Sequence, residues 1–314
     1  MYVLGFDIGG TKCAVITAEV SGGDIRLLKK EKCPTDLSVS PEKMIEKLIS
    51  MADGILERDP DAIGISCGGP LDSKKGIIMS PPNLTGWDNV AIVDIIGAHY
   101  SVRPKLQNDA NACALAEWRF GAGRGCENMV FLTFGTGLGA GLILGGRLYE
   151  GTNGNAGEVG HIRLAPEGPV GFGKPGSFEG FCSGGGIAQL GFSMAQDARS
   201  NGKEPLYFKD GDTQKDVSAA SVANAARAGD KTAREVYRES GRYLGRGLSV
   251  LIDILNPERI VIGSIFARSG DLLWEDAKRE IEKEALGVSA ACCEVVPAAL
   301  GENIGDYAAI ATAL

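Results

Sequence analysis

Two short stretches carry the residue types that could hold a phosphate. The first, GFDIGGTKCAVI at residues 5–16, runs an apolar strand into Asp7, Gly9, Gly10, Thr11 and Lys12 and then resumes. The second, FLTFGTGLGAGLIL at residues 131–144, repeats the plan with Gly135, Thr136 and Gly137 at its turn. Glycine lets a turn reach positive φ and lets a ligand approach the chain closely. Turn amides that point one way form a nest for anions. Amides and the Thr11 hydroxyl would meet phosphate oxygens, Lys12 would add charge, and Asp7 ends the strand. Gly135, Gly137, Gly139 and Gly141 alternate, so within a strand they share one face and leave room for another backbone or a ligand. Either stretch alone also reads as an ordinary hairpin with a glycine turn. Two together, each with a threonine at its tip, favour the phosphate reading. No GxxxxGK[ST] loop is present, and the one GxGxxG, at Gly171, Gly173 and Gly176, follows APEGPV rather than a buried strand, so it is set aside as a dinucleotide site.

The elements that must position these turns follow from periodicity. Residues 2–8 and 13–20 read as strands joined by Gly9-Gly10, with a third strand near 25–32. Met44, Ile45, Leu48, Ile49, Ala52 and Ile55 have helical spacing over 41–57, and Pro41 and Glu42 suit the first turn. A buried strand at 62–72 ends in glycines, 90–99 is a short helix, 103–108 a strand, and ANACALAEWR at 110–119 a helix. Residues 151–186 read as loop-rich, with repeated glycines. Helices are expected near 217–227, 231–255, 269–285 and from 303, with strands at 256–264 and 292–297. A βββαβα-like order near residue 1 that returns near residue 129 suggests two related α/β halves.

The chain has 314 residues, more than one typical domain, which makes two domains the natural expectation. Hydrophobic residues at 44% and charged residues at 23% are ordinary for a soluble globular protein. A net charge of −8 argues against a nucleic-acid surface. No signal peptide and no membrane-length apolar run is expected. The eight cysteines are scattered without a CxxC, so neither a zinc cluster nor a disulfide framework is read, and a reduced cytoplasm fits.

The chain resembles the ROK sugar kinases of the actin-like ATPase superfamily. The resemblance covers nearly the whole length. It rests on DIGGTK (7–12), GISCGGPLD (64–72), PNLTGW (82–87), NDANACALAEW (108–118), FGTGLGAGLI (134–143), GNAGEVGHI (154–162) and LNPERIVIGS (255–264), in that order. It implies a two-domain actin-like ATPase (ribonuclease H-like) fold with a central cleft. The small N-terminal α/β domain would be 1–112, completed by a C-terminal helix at 303–314, and the large α/β domain 113–302. It implies that both hairpins hold ATP phosphates, through Asp7, Gly9, Gly10, Thr11, Lys12, Thr136 and Gly137, and that Gly263 and Ser264 approach the adenosine. Asp109 would be the catalytic base, a carboxylate that takes the hydroxyl proton as the bond to phosphorus forms. Read alone, Asp109 is as well explained as a helix N-cap, although Asn108 could cap instead. Sugar hydroxyls would meet Asn83, Asn108, Glu158, His161 and Glu179, with Gly69 at the floor. Alone, Glu158 reads as a solvated loop acid and His161 as a structural histidine. Mg²⁺ would sit among the phosphates, mostly through water, near Asp7.

Two departures from the family matter. Most members carry CxCGxxGCxE after the GHI segment and bind structural zinc there. Here the stretch from Val170 to Glu179 lacks all three cysteines, so no zinc is expected, and Val170, Phe172 and Phe178 would hold the loop by apolar packing. The DNA-binding segment of the repressor branch is also missing before residue 5, which sets that role aside. The expectation is therefore an ATP-dependent hexose kinase, most naturally acting on O6 of glucose, as a homodimer. Fructose, mannose, an N-acetylhexosamine, a β-glucoside and polyphosphate as donor stay open. The rival from another class is a non-catalytic sugar sensor.

Overall fold

A computed structural model describes residues 1–314. The chain forms two compact units. One is built from Met1–Glu127, Gly141–Ala156 and Ala299–Leu314, the other from Asn128–Ala140 and Gly157–Ala298. The boundary expected after residue 112 lies inside a helix, Asp109–Phe120, which the first unit keeps whole. Its Ala112 and Ala116 pack on Ala308 and Ala311 of the C-terminal helix, so cutting there would split a buried alanine seam.

The first unit begins with strands β1 (Tyr2–Ile8), β2 (Lys12–Ser21) and β3 (Asp24–Pro34), followed by helix α1 (Pro41–Ile55) and strand β4 (Ala62–Cys67). The short pair β5 (Leu71–Asp72) and β6 (Ile77–Ile78) precedes helix α2 (Ile92–Tyr100), strand β7 (Lys105–Asn108) and helix α3 (Asp109–Phe120). The sheet order is β3-β2-β1-β4-β7, with β1 antiparallel to β2 and parallel to β4. One sheet face buries Leu4, Phe6 and Ile8 against Met44, Leu48 and Trp87. The apolar stripe of α1 expected from its spacing is this contact, and Ser40 caps the helix at Lys43 N. The other face is so close to the C-terminal helix that a Cβ on Gly64 would strike the Ala309 carbonyl. The carboxylate of Glu117 on α3, fully buried, accepts from Ala122 N (2.7 Å), Ala299 N (3.2 Å) and Leu300 N (2.9 Å). Those bonds satisfy a buried charge that would otherwise be costly.

The second unit opens with β8 (Met129–Phe134) and β9 (Leu138–Ile143), the latter passing back to the first unit from Gly141. Then come the pair β10 (Val170–Gly171) and β11 (Lys174–Pro175), helices α4 (Phe178–Phe181), α5 (Gly184–Ser200), α6 (Ala219–Arg227) and α7 (Lys231–Leu255), strand β12 (Arg259–Ile262), helices α8 (Ile265–Glu284) and α9 (Gly287–Ala290), and strand β13 (Glu294–Pro297). Helix α10 (Ile304–Ala313) completes the first unit. The second sheet runs β13-β12-β8-β9, with β12 parallel to both neighbours. This matches β7-β4-β1-β2 of the first sheet, so the suspected duplication is visible in topology, less the third antiparallel strand. Gly241 and Gly245 on α7 let the backbone of α8 approach, and Gly247 faces the Phe178 ring. These glycines serve packing, as their place in an amphipathic helix implies.

The loop-rich 151–186 stretch also holds β10, β11, α4 and the start of α5. Three features depart from the sequence expectations. Helix α5 was not expected, because its first turn is Gly184-Gly185-Gly186, the poorest helix formers after proline. It forms because Ser183 caps it through Gly186 N (3.0 Å), and because a side chain at 186 would collide with the Gly180 carbonyl. The helix expected from 269 begins at Ile265 and carries a break at Ser269. The zinc-less loop is also held differently from the expectation. Phe178 is buried, but Val170 is 45% exposed and Phe172 is 83% exposed. Instead, Gln189 accepts from Val170 N and donates to Val170 O, both at 2.9 Å. Ser177 caps α4 through Gly180 N, and Lys174 Nζ donates to the His161 carbonyl (2.7 Å). Polar clips to backbone do the work assigned to apolar packing.

Candidate functional site

In the first unit the β1–β2 hairpin closes as its sequence implies. Asp7 pairs with Ala14 in register, and Gly9 N donates to the Lys12 carbonyl (3.2 Å). Thr35 Oγ1 donates to the Gly9 carbonyl (2.6 Å), and Thr35 N donates to the Thr11 carbonyl (3.0 Å), which ties the turn to the end of β3. Thr11 and Lys12 are exposed. A Cβ on Gly10 would stand 2.7 Å from Asn83 Cβ and closer still to its carbonyl oxygen. The PNLTGW loop thus lies directly on the turn, and Gly10 is required by close approach. Gly69, exposed at the end of β4, is followed by a cis peptide to Pro70.

Strand β7 delivers Asn108 and Asp109 to the start of α3. Asn108 Oδ1 accepts from Asn111 N (2.8 Å), so Asn108 is the N-cap. Asp109 Oδ1 accepts from Ala110 N (2.8 Å), while its Oδ2 has no protein partner. The capping role that competed with a catalytic one therefore falls to the neighbour. Protein bulk around Asp109 pushes its carboxyl above the ordinary carboxylate range, although its own surface is exposed.

Asp7 is raised from 3.8 to about 6, first by burial and next by the charge of Asp306, with Asp109 adding to the rise and Lys30 and Lys12 opposing it. Asp306 is buried in the first turn of α10, where Lys30 pairs with it. A Cβ on Gly305 would stand 2.7 Å from Asp7 Oδ2, so this glycine makes room for the carboxylate.

In the second unit the β8–β9 turn is closed by Gly135 N donating to the Gly137 carbonyl (3.1 Å). Glu179 caps this turn from the side. Its Oε2 accepts from Leu138 N (3.0 Å), and a Cβ on Gly137 would lie 2.8 Å from the same oxygen. Gly160 and Gly171 also press on the Glu179 Cβ. Glu158 and His161 bracket a 3-10 turn, Val159–His161, and are both exposed. With 3.0 residues per turn, positions three apart eclipse, which puts these two on one side. The His161 ring meets Phe172 edge-on at 6.4 Å. Of the alternating glycines, Gly141 admits the α3 backbone, Gly137 admits Glu179 and Gly135 faces Ser264.

A cavity of about 680 Å³ opens beside that turn, lined by Thr136, Gly184, Ser218, Ala223, Asn224 and Ser264 among others. Gly263 is buried beneath it and does not line it. Gly184 N donates to the Gly135 carbonyl (2.8 Å), so the N-terminus of α5 abuts the second turn. Free amides at a helix N-terminus favour anions. The small side chains leave a slot of nucleoside size, and Asn224 and Ser218 offer polar contacts. Residue-by-residue reading missed α5, Ser218 and Asn224. The available signal was Ser183 as an N-cap before the apolar spacing of Ile187 and Leu190.

The family model described as "ROK family" matches residues 3–313. A glucokinase of Streptomyces coelicolor is 30% identical over 305 residues, covering 96% of this chain and 94% of the relative. The crystal structure of a ROK family glucokinase from Streptomyces griseus, in complex with glucose and AMPPNP, is 29% identical with a TM-score of 0.77 and covers 100% of this chain and 99% of that one. A ROK family transcriptional regulator, a homologue of the E. coli MLC protein, is 27% identical with a TM-score of 0.82, covering 99% of this chain and 78% of that one. The mixed α/β architecture is that of the actin-like ATPases. The chain belongs to the ROK family.

Proposed function

We propose that this protein is an ATP-dependent hexose kinase that transfers the γ-phosphate to a sugar hydroxyl, with O6 of glucose as the first choice. The family serves both catalysis and regulation, so fold alone does not decide. The observation that carries the reading is at the start of α3. Asn108 caps the helix, which leaves Asp109 with an unpartnered oxygen and a raised carboxyl, suited to accept a proton. A sensor has no need of such a base.

In this reading Asn83, Asn108, Glu158, His161 and Glu179 orient the sugar hydroxyls over Gly69, and Asp109 takes the proton of the attacking hydroxyl. The turn amides of Gly10 and Gly137, with Thr11, Thr136 and Lys12, steady the donor phosphates, while Gly9, whose amide closes the hairpin onto the Lys12 carbonyl, shapes the turn. Mg²⁺, when bound, neutralises charge on those phosphates. Asp7 holds its water shell. Ser264 flanks the nucleoside, with Ser218 and Asn224 as further contacts, and the buried Gly263 supports Ser264 without touching the nucleoside. The free cysteines suit a reducing cytoplasm, and a homodimer is expected from family resemblance. No helix is long and apolar enough to cross a membrane. A panel of hexoses with ATP and Mg²⁺ in a coupled ADP-release assay, run beside fluorescence titration of each sugar, tests the proposal. Turnover highest with glucose supports it, and sugar binding without ADP release overturns it.

A further inference from the structure

A second cavity lies wholly within the first unit, apart from Asp7, Asp109 and the glycine turn. Its volume is about 620 Å³, inside the range of small-molecule sites. Five cations line it, Lys74, Arg103, Lys105, Arg119 and Arg147, against one acidic side chain, Glu150. In a chain of net charge −8 that is a marked local excess of positive charge. Arg103 is engaged, pairing with Asp94 (3.3 Å). Arg119 has no anion. Its guanidinium stacks 5.3 Å over the Trp118 ring, and its Nε is buried with no hydrogen-bond partner. Burial lowers its pKa with no acid nearby to oppose the effect, so the charge is carried at a cost. Lys74, Lys105 and Arg147 make no salt bridge either.

Glu150 offsets one of these charges and leaves the set net positive. Ser73 Oγ donates to its Oε1 at 2.7 Å and Gln107 Nε2 at 2.8 Å. Ser73, Gln107, Glu150 and Thr312 thus give the cavity a hydrogen-bonding wall, with Trp118 and Leu115 as an apolar flank. That wall runs on toward α3. Asn111 Nδ2 donates to Gln107 Oε1 (3.2 Å), and Asn111 N donates to Asn108 Oδ1 at the cap (2.8 Å).

We propose that this cavity is a binding site for a small phosphate-bearing anion. Guanidinium forks match phosphate oxygens in geometry as well as charge. The volume exceeds what one phosphate fills, and the hydroxyl-binding wall gives a sugar phosphate something to hold. Inorganic phosphate shares the charged half of this chemistry. The site is independent of the kinase reading and stands or falls without it.

The test is isothermal titration of the whole protein with glucose 6-phosphate, with inorganic phosphate and with neutral glucose, each repeated on Arg147→Gln and Arg119→Gln. Arg147 is exposed, so its variant should fold even if the Arg119 variant does not. Removing one charge-assisted bond should weaken binding by about tenfold or more. Glucose binding and turnover at saturating substrates should be unchanged in Arg147→Gln. Tighter binding of glucose 6-phosphate than of phosphate identifies the ester as the ligand, and equal binding identifies the free anion. Phosphate-ligand binding that is absent, or unaltered in Arg147→Gln, overturns the proposal. The second result would mean the anion sits elsewhere, including at the proposed catalytic residues.

Discussion

The two glycine hairpins share a plan and differ in what presses on them. In the β1–β2 turn, Gly10 is covered by the backbone of Asn83. In the β8–β9 turn, Gly137 is covered by the end of the Glu179 side chain. Beside the first turn Asp7 is lifted first by burial and next by the charge of Asp306, with Asp109 adding to the rise. The second instead abuts the amino end of α5 and a cavity lined mostly by small residues, with Arg227, Arg268 and Tyr237 on its wall. One hairpin plan is thus set in two different surroundings, a group of carboxylates in the first unit and a cavity beside a helix amino end in the second.

The sharpest way to break that comparison is Asp109→Asn. Its kcat should fall by about 10²–10⁴-fold, with sugar affinity kept within a few-fold, as measured by steady-state kinetics and titration. Full activity would remove the chemistry from the first hairpin's neighbourhood. Next comes the stability linkage of Asp7. Its folded pKa of about 6 exceeds the 3.8 of an ordinary aspartate, so folding takes up protons between those values. The contribution is fully present below about 4 and is lost as pH rises through about 6, up to about 3 kcal/mol. Asp7→Asn should therefore raise the melting temperature of the ligand-free protein at pH 7 and flatten its pH dependence, at the expense of turnover. A variant no more stable at pH 7 would contradict the raised carboxyl.

Gly10→Ala and Gly137→Ala test the difference in covering directly. A new methyl against the Asn83 backbone has nowhere to go, whereas the Glu179 carboxylate can swing. Overpacking of the rigid kind costs about 1–3 kcal/mol, and Gly137→Ala should cost less than half of that by chemical denaturation. Equal costs would mean the two turns are held alike. The smallest effect is expected at Ser264, which sits at φ 51° and ψ −108°, a conformation suited to glycine. Ser264→Gly should stabilise the protein by about 1 kcal/mol, read as a shift in denaturant midpoint.

Legibility followed the range of the forces. Helix α7 was expected over 231–255 and found at Lys231–Leu255, because an amphipathic stripe and the Asp230 cap are local signals. The hairpins were legible for the same reason, with glycines and apolar strands adjacent in sequence. Helix α5 was hidden because its glycines are chosen by distant backbone rather than by helix propensity. The exposure of Phe172 was hidden because hydrophobicity does not say whether a partner is near. Lys74, Arg119 and Arg147 carry no motif and come together only through β5–β6, α3 and the segment after β9.

By itself the sequence determined the α/β class, the two glycine-bearing hairpins and the pairing of Asn108 with Asp109, since each depends on residues a few positions apart. Only the tertiary structure decided which of that pair caps the helix, which neighbours raise Asp7, what covers each glycine, and where cations gather in excess of acids. Those outcomes depend on groups tens to hundreds of residues apart, whose desolvation and mutual charge exist only once the chain has closed around them.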